Sequence, residues 1–434
     1  STPFEYYHPS YQPGLRLGKV IRQFYEDSKG NLWIASENEG VTVYHPETNT
    51  FSPYPTLSKH INAILIDNDK LWLGTESSGI EVYDLKTGKV KSYQFRNADP
   101  TTISDNNVRK IFKTSYGDIY IGTAWGINIY NPQTDDFSSI SQIAQVGNLA
   151  SVSDIKEDSR GFIWFSTSNA GLFRHNPDNG RWIGLGHYKN NPKTIPSNKI
   201  TSIFEDSKQQ MWFSTEGNGI CRYDFDKDAF VPLDPEGNIL PSQIIYRIEE
   251  DENNNFWLSS NSGLICLNPE TREILGHFTK ENGLQSNQFN FQSSYRTANG
   301  RIYFGGINGF NAFYPRDIEY NEPVSNMLIT NMYLYGEELV VGTDNSPLKK
   351  SVPETRELTL KHNQNSISFD FANRGYKSLH KKKYAYMMEG LENRWKNVGS
   401  SRSVFVNNIA PGVYTFRVKA LEGNSNIQEP ETFI

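Results

Sequence analysis

Cysteine is nearly absent: only Cys221 and Cys266 occur in 434 residues. Two thiols make neither a disulfide framework nor a metal-type spacing, so two buried free thiols are expected. Long apolar runs are missing too. None approaches the roughly 18 residues needed to cross a bilayer. No signal-peptide pattern opens the chain at Ser1, so a mature or excised segment is expected. Charge is modest, at 21% of residues, and the net charge is −6. Without a basic excess, a general role in binding nucleic acid is excluded. None of the eight histidines sits in an H-E-x-x-H motif. No nucleophile elbow and no glycine-rich phosphate loop stands anywhere in the chain. No metal, cofactor or catalytic residue is therefore expected.

Aromatic and turn-forming residues are plentiful. Aromatics make up 13% of the chain, beside 33 glycines and 21 prolines, which favours β-structure over helical bundles. The cause is an internal repeat. IRQFYEDSKGNLWIASENEGVTVYHP from Ile21, VSDIKEDSRGFIWFSTSNAGLFRHNP from Val152 and ITSIFEDSKQQMWFSTEGNGICRYDF from Ile200 are its clearest copies. An aromatic anchor marks each of seven copies: Trp33, Trp72, Tyr120, Trp164, Trp212, Trp257 and Tyr303. Each copy divides into four short strands. In the first they are Ile21–Glu26, Leu32–Ser36, Val41–Tyr44 and Phe51–Tyr54, with Asp27 and Gly30 in the turn of the first hairpin. Four strands in about 45 residues is the blade signature of a β-propeller. Seven blades are expected over residues 1–320. Lys91–Phe95 and Gly186–Tyr188 read as outer strands. The seventh blade has no clear outer strand of its own, so residues 4–8 (FEYYH) are expected to complete it.

The repeat stops after Asp317. Residues 321–434 show alternation in Ser366–Phe371, Tyr384–Met388, Ser403–Val406 and Val413–Lys419, with turns at Gly375, Gly390 and Pro411–Gly412. This predicts an immunoglobulin-like β-sandwich, truncated where the chain ends at Ile434. The segment carries 14 Lys/Arg and 12 Asp/Glu, so the propeller holds the negative charge. Lys381–Lys383 reads as a solvated connector.

On these residues the repeat resembles the two-component regulator propeller repeat. The segment with Tyr384, Tyr386, Gly390, Trp395, Pro411, Gly412 and Tyr414 resembles the Y_Y_Y domain that follows such propellers. Together they resemble the periplasmic sensor region of Bacteroidetes-type hybrid two-component systems. The resemblance implies a periplasmic ectodomain that senses glycan-derived oligosaccharides and signals to a histidine kinase controlling transcription. It also implies a homodimer formed through the C-terminal domain and the parent chain, with the membrane reached only through a helix outside this sequence. Sensors of this kind usually carry two propellers; this sequence has one, and no kinase motif.

The repeated Asp27, Asp67, Asp158, Asp206 and Asp251 are read as turn residues that cap backbone amides. The seven anchors are read as packing between blades, because a sugar platform needs one or two rings and not one per blade. Candidates for ligand contact come from the non-repeating loops around the channel. The loops joining second and third strands carry Glu37, Asn38, Glu76, Trp125, Asn169, Glu216, Asn218, Asn261 and Asn308. Those leading into each first strand carry Arg16, His60, Asn106, Asn107, Asn198 and Asn287. Trp125, Glu76, Glu216, Asn218, Arg16 and Asn107 are the candidates kept, with Trp125 the most unusual for its position. Two other readings stay open: a propeller glycoside hydrolase or lyase using Glu76 and Glu216 as paired carboxylates, and a structural dimerisation module.

Overall fold

The computed structural model describes residues 3–8, 17–140, 150–318, 327–343, 346–373, 383–421 and 432–433. It divides into two compact units, Ser1–Glu319 and Tyr320–Ile434.

The first unit is built from seven four-stranded antiparallel sheets. Blade one runs through Ile21–Glu26, Leu32–Ser36, Gly40–His45 and Thr50–Tyr54. The inner strands of the following blades are Ile61–Asp67, Val108–Lys113, Val152–Glu157, Ile200–Glu205, Ile245–Glu250 and Phe289–Arg296. In the seventh sheet Glu5–Tyr7 lies outermost, antiparallel to Phe310–Phe313. Tyr7 stacks on Phe310 with ring centroids 4.6 Å apart, and Arg301 reaches both the Tyr7 hydroxyl at 3.0 Å and Glu5 at 2.9 Å. A Cβ on Gly309 would stand 2.1 Å from the Tyr7 carbonyl, so only glycine lets the closing strand approach this closely.

Each second strand is buried along its whole length, save the first residue, Lys70, of that in blade two, because the neighbouring blade covers it. All seven anchors lie in this layer and are buried, as expected for packing. Three residues beyond each anchor stands a buried hydroxyl in six blades. It donates to the carbonyl of the glycine opening the third strand, as in Thr167 to Gly171 at 2.8 Å and Thr215 to Gly219 at 2.9 Å. Cys221 and Cys266 are both buried, and burial pushes the Cys221 thiol up.

Two outer strands differ from expectation. In blade four the outer strand is Arg181–Leu185, not Gly186–Tyr188, and in blade two it ends at Tyr93, short of Phe95. The cause is shared. The side-chain oxygen of Asn198 takes the His187 N–H at 2.7 Å, and that of Asn106 takes the Phe95 N–H at 2.8 Å, pulling the chain out of the ladder. Asn287 does the same to Lys280 at 2.8 Å.

The second unit has two four-stranded antiparallel sheets. One contains Glu337–Glu338, Met327–Leu334, Ile367–Asn373 and Ser403–Val406; the other contains Glu392–Gly399, Lys383–Glu389, Thr415–Leu421 and Thr432–Phe433. Ile329, Met332, Phe371, Tyr384 and Val418 fill the space between them, and Phe369 stacks on Phe416 at 4.0 Å. The Tyr414 hydroxyl donates to the Ala410 carbonyl four residues back, a tyrosine-corner bond of the kind sandwiches use. Glu392–Gly399 carries no alternation because it is an edge strand wet on both faces. Gly375, Lys381, Lys382 and Ile434 lie outside the described residues.

Candidate functional site

The two ends of the propeller are built differently. At the first-hairpin end, the repeat accounts for nearly every polar group. Asp206 accepts the N–H of Lys208 at 3.0 Å and of Gln210 at 2.8 Å, and its second oxygen accepts the Trp212 indole N–H at 2.9 Å. Asp27, Asp158 and Asp251 repeat this arrangement with Trp33, Trp164 and Trp257. Burial tunes these carboxyls: at Asp27 it opposes ionisation, yet the Trp33 and Asn31 bonds hold the group below the usual range, whereas at Asp158 burial wins and pushes it up. The glutamate just before each aspartate reaches back one blade. Glu157, Glu205 and Glu250 hold the hydroxyls of Ser115, Ser159 and Ser207 at 2.6, 2.5 and 2.8 Å. The repeated acids are thus structural, and each carries one bond more than turn chemistry alone required. A cleft of about 340 Å³ between blades five and six opens at this end, lined by Asp206, Arg222, Glu250 and Glu270. Most of its charged groups are already partnered, among them Arg222 with Gln210 at 2.7 Å.

The opposite end, where the channel opens, breaks the repeat. Among the described residues, six of the eight large apolar side chains exposed on the propeller lie there: Leu57, Phe95, Trp125, Tyr188, Phe291 and Ile307. Trp125 is 53% exposed, and its backbone N–H donates to Thr123 at 3.1 Å, fixing the loop that presents it. Glu216 and Asn218 are exposed on the corresponding loop of blade five. Glu76 faces His60 at 3.6 Å, and with Glu37 these bring two carboxylates and an imidazole nitrogen within 4.8 Å of one another. Those are donor types a divalent cation accepts. Glu37, however, already receives Arg22 at 3.1 Å, and Glu76 is open to solvent. The trio serves better as a hydrogen-bonding edge. Asn107 is tied to Asn62 at 3.4 Å, and Arg16 lies outside the described residues. Several other loop asparagines are spent on structure: Asn169 accepts the Ser151 N–H at 3.0 Å, and Asn308 bonds Tyr6 and His8 at 2.7 and 2.9 Å. Glu76 and Glu216 are not brought together. Glu76 neighbours His60, whereas Glu216 lies near Tyr246, whose hydroxyl is pushed up first by burial and then by that carboxylate.

The sequence reading missed the residues inside the mouth. Every inner strand has a bulge just after its first residue, in six blades at Arg22, Asn62, Arg109, Ser153, Thr201 and Tyr246. In blade seven the irregularity is larger, running from Phe289 to Ser294. There the anchoring Phe289 precedes the turn residue Thr297 by two residues more than its counterparts do, an insertion legible in the sequence. It carries Gln292 to the Ser153 carbonyl of blade four, while Arg247 of blade six and Lys110 of blade three meet Asp154 of blade four at 2.9 and 3.1 Å. These bonds cross the channel and close it below the mouth. Asp154 is buried, which opposes its charge, but Lys110, Arg247 and the Ile203 N–H keep its carboxyl below the usual range.

The first unit is a seven-bladed propeller with a partly apolar, polar-rimmed channel mouth, and a sandwich follows it in the chain. The family model described as two component regulator propeller matches residues 14–38 and 194–217, and that described as Y_Y_Y domain matches residues 375–432. The chain thus carries two-component regulator propeller repeats followed by a Y_Y_Y domain. Over its whole length it is similar to the extracellular domain of the putative hybrid two component system BT3049 from B. thetaiotaomicron, with a TM-score of 0.70, 26% identity and 57% of that chain covered. Over 48% of its length it is 30% identical to "Histidine kinase P4" of Formosa agariphila, covering 15% of that protein. Virginiamycin B lyase from Staphylococcus aureus matches 72% of the chain at a TM-score of 0.52 and 14% identity, a likeness of fold alone. The chain spans little more than half of the similar solved ectodomain and a small part of the curated kinase. Among the described residues no helix is long and apolar enough to cross a membrane.

Proposed function

We propose that this chain is the periplasmic ligand-sensing part of a hybrid two-component sensor, and that its ligand is a glycan-derived oligosaccharide. The observation that carries the reading is the asymmetry of the propeller: among the described residues, six of its eight exposed large apolar side chains lie at the channel end. Trp125 and Phe291 offer faces to sugar rings, and Glu76, Glu216, Asn218 and His60 offer hydrogen bonds to hydroxyls. The sandwich relays the bound state, through a homodimer of the parent chain, to a histidine kinase that controls transcription. Signalling of this kind requires the ligand to bind two states of the dimer with different affinity.

A calorimetric screen of plant and host oligosaccharides against this chain, beside the complete ectodomain of the parent, tests the proposal. At least one oligosaccharide binds the chain, and Trp125→Ala weakens it by about tenfold, the scale of one lost aromatic contact. If no oligosaccharide binds either protein, the sensing role is wrong. If product is released at catalytic rates and Glu216→Gln stops it, the enzyme reading replaces it. Removing residues 320–434 is expected to leave binding intact and abolish kinase output.

A further inference from the structure

The bulged residues at the channel mouth fall into two groups. Four are short and polar, and each ties its blade to the next. Asn62 donates to the Val108 carbonyl at 3.2 Å, Ser153 to Ile200 at 2.6 Å, Thr201 to Ile245 at 2.5 Å and Asn290 to Ile21 at 2.8 Å. The other three are Arg22, Arg109 and Tyr246, which are long and donate to no such carbonyl among the described residues. Tyr246 accepts from Gln288 at 2.7 Å and packs against Phe291 at 4.7 Å; Phe291 itself is 42% exposed. Arg22 gives Glu37 one bond, but its Nε is buried and has no partner. Arg109 is half-buried and makes no hydrogen bond or ion pair among the described residues. Burial, and then the Arg22 guanidinium beside it, lower its pKa from the usual value. The one carboxylate that offsets this, Asp105, already holds the Asn107 N–H at 2.7 Å.

Arg22 and Arg109 occupy equivalent bulges of blades one and three at the mouth, and two partly dehydrated guanidiniums short of acceptors are costly to the free protein. An oxyanion bound at the mouth offsets that cost, since a carboxylate or sulfate matches the guanidinium fork. We infer that the channel mouth is a subsite for an acidic sugar, with Arg22 and Arg109 gripping its carboxylate or sulfate and Phe291 packing on its ring. The inference rests on the oligosaccharide reading above and narrows it. Glu37, Glu76 and Glu216 stand round the same mouth and repel a densely charged polymer, so the site takes one anionic unit among neutral ones.

The test is calorimetry on the 434-residue chain with three trisaccharides of equal length: one neutral, one with a single uronate, one with a single sulfate ester. At least one acidic trisaccharide binds about tenfold or more tightly than the neutral one, weakens with added salt, and loses that advantage in Arg109→Gln. Arg109→Lys restores part of it. Unchanged melting of both variants shows that the loss is not unfolding. Which acidic probe binds separates carboxylate from sulfate. Equal binding of neutral and acidic probes overturns the anionic subsite while leaving the sugar reading standing. An acidic preference that survives Arg109→Gln also overturns it. Failure of all three to bind, when larger neutral oligosaccharides do, overturns it as well; failure of every oligosaccharide sinks both readings.

Discussion

The two ends of the propeller solve opposite problems with the same strands. At the first-hairpin end the repeat fills nearly every polar position with a partner: aspartate with indole and turn amides, glutamate with the serine of the previous blade. At the channel end the equivalent positions diverge from blade to blade: Trp125 is exposed, and the Arg22 Nε is buried without a partner among the described residues. The lesson is that in a repeat protein identity across copies marks stability, and departure from the copy marks a site. Between the two ends lies Asp154, a departure that is nonetheless fully satisfied.

Asp154 gives the largest expected effect. Asp154→Asn leaves Lys110 and Arg247 buried without their counter-charge, and a loss of about 3–5 kcal/mol is expected in denaturant unfolding. Since the folded carboxyl titrates below its unfolded value, its contribution is complete above the unfolded carboxylate pKa of about 4 and fades only as pH falls through the lower folded value. The variant therefore loses the acid limb of its stability profile. A loss below about 1 kcal/mol would show that water, not protein, solvates the channel.

Blade two provides an internal control at the hairpin end. There the first hairpin turns on Asn68 and Asp69, one residue shorter than in blade five, so Asp67 precedes Trp72 by five positions where Asp206 precedes Trp212 by six. The Trp72 indole is left buried without a partner, and Asp67 pairs with Lys113 at 2.5 Å instead. Asp206→Ala, which strips two amides and an indole of their acceptor, is expected to cost about 2–4 kcal/mol. Asp67→Ala, which removes a partly exposed ion pair, is expected to cost about 1 kcal/mol or less. Equal losses in thermal unfolding would break the claim that the indole bond is what the repeat preserves.

Much of this was legible beforehand. The period of the repeat and its anchors defined seven blades, because packing between blades imposes the same residues in each copy. The aspartate–indole bond was legible too: where threonine replaces the aspartate, at Thr114 and Thr297, the anchor six residues on is Tyr120 or Tyr303 and not tryptophan. The outer strands were harder to read, since Asn106, Asn198 and Asn287 look like free loop amides and act as strand terminators. Arg22 and Arg109 were hidden because a bulge turns them into the channel, and strand alternation alone cannot reveal a bulge. Trp125 stood out for the opposite reason, being large where other blades are small.

The smallest expected effect is the most telling. Arg109 has no acceptor among the described residues, and burial and the charge of Arg22 oppose its own, so Arg109→Gln removes a desolvated, repelled cation and leaves no described partner stranded. Its stability is expected to stay within about 0.5 kcal/mol of the parent, or to rise. Most half-buried arginines that hold a fold together would cost far more, because their carboxylate would be left unpaired. A melting temperature at or above the parent's, in the variant that has lost its preference for acidic sugar, would place Arg109 among residues kept at the expense of stability for the sake of a ligand. A loss above about 1 kcal/mol would instead mean that Arg109 is spoken for within the fold, and the contrast between the two ends of the propeller would fail at its central residue.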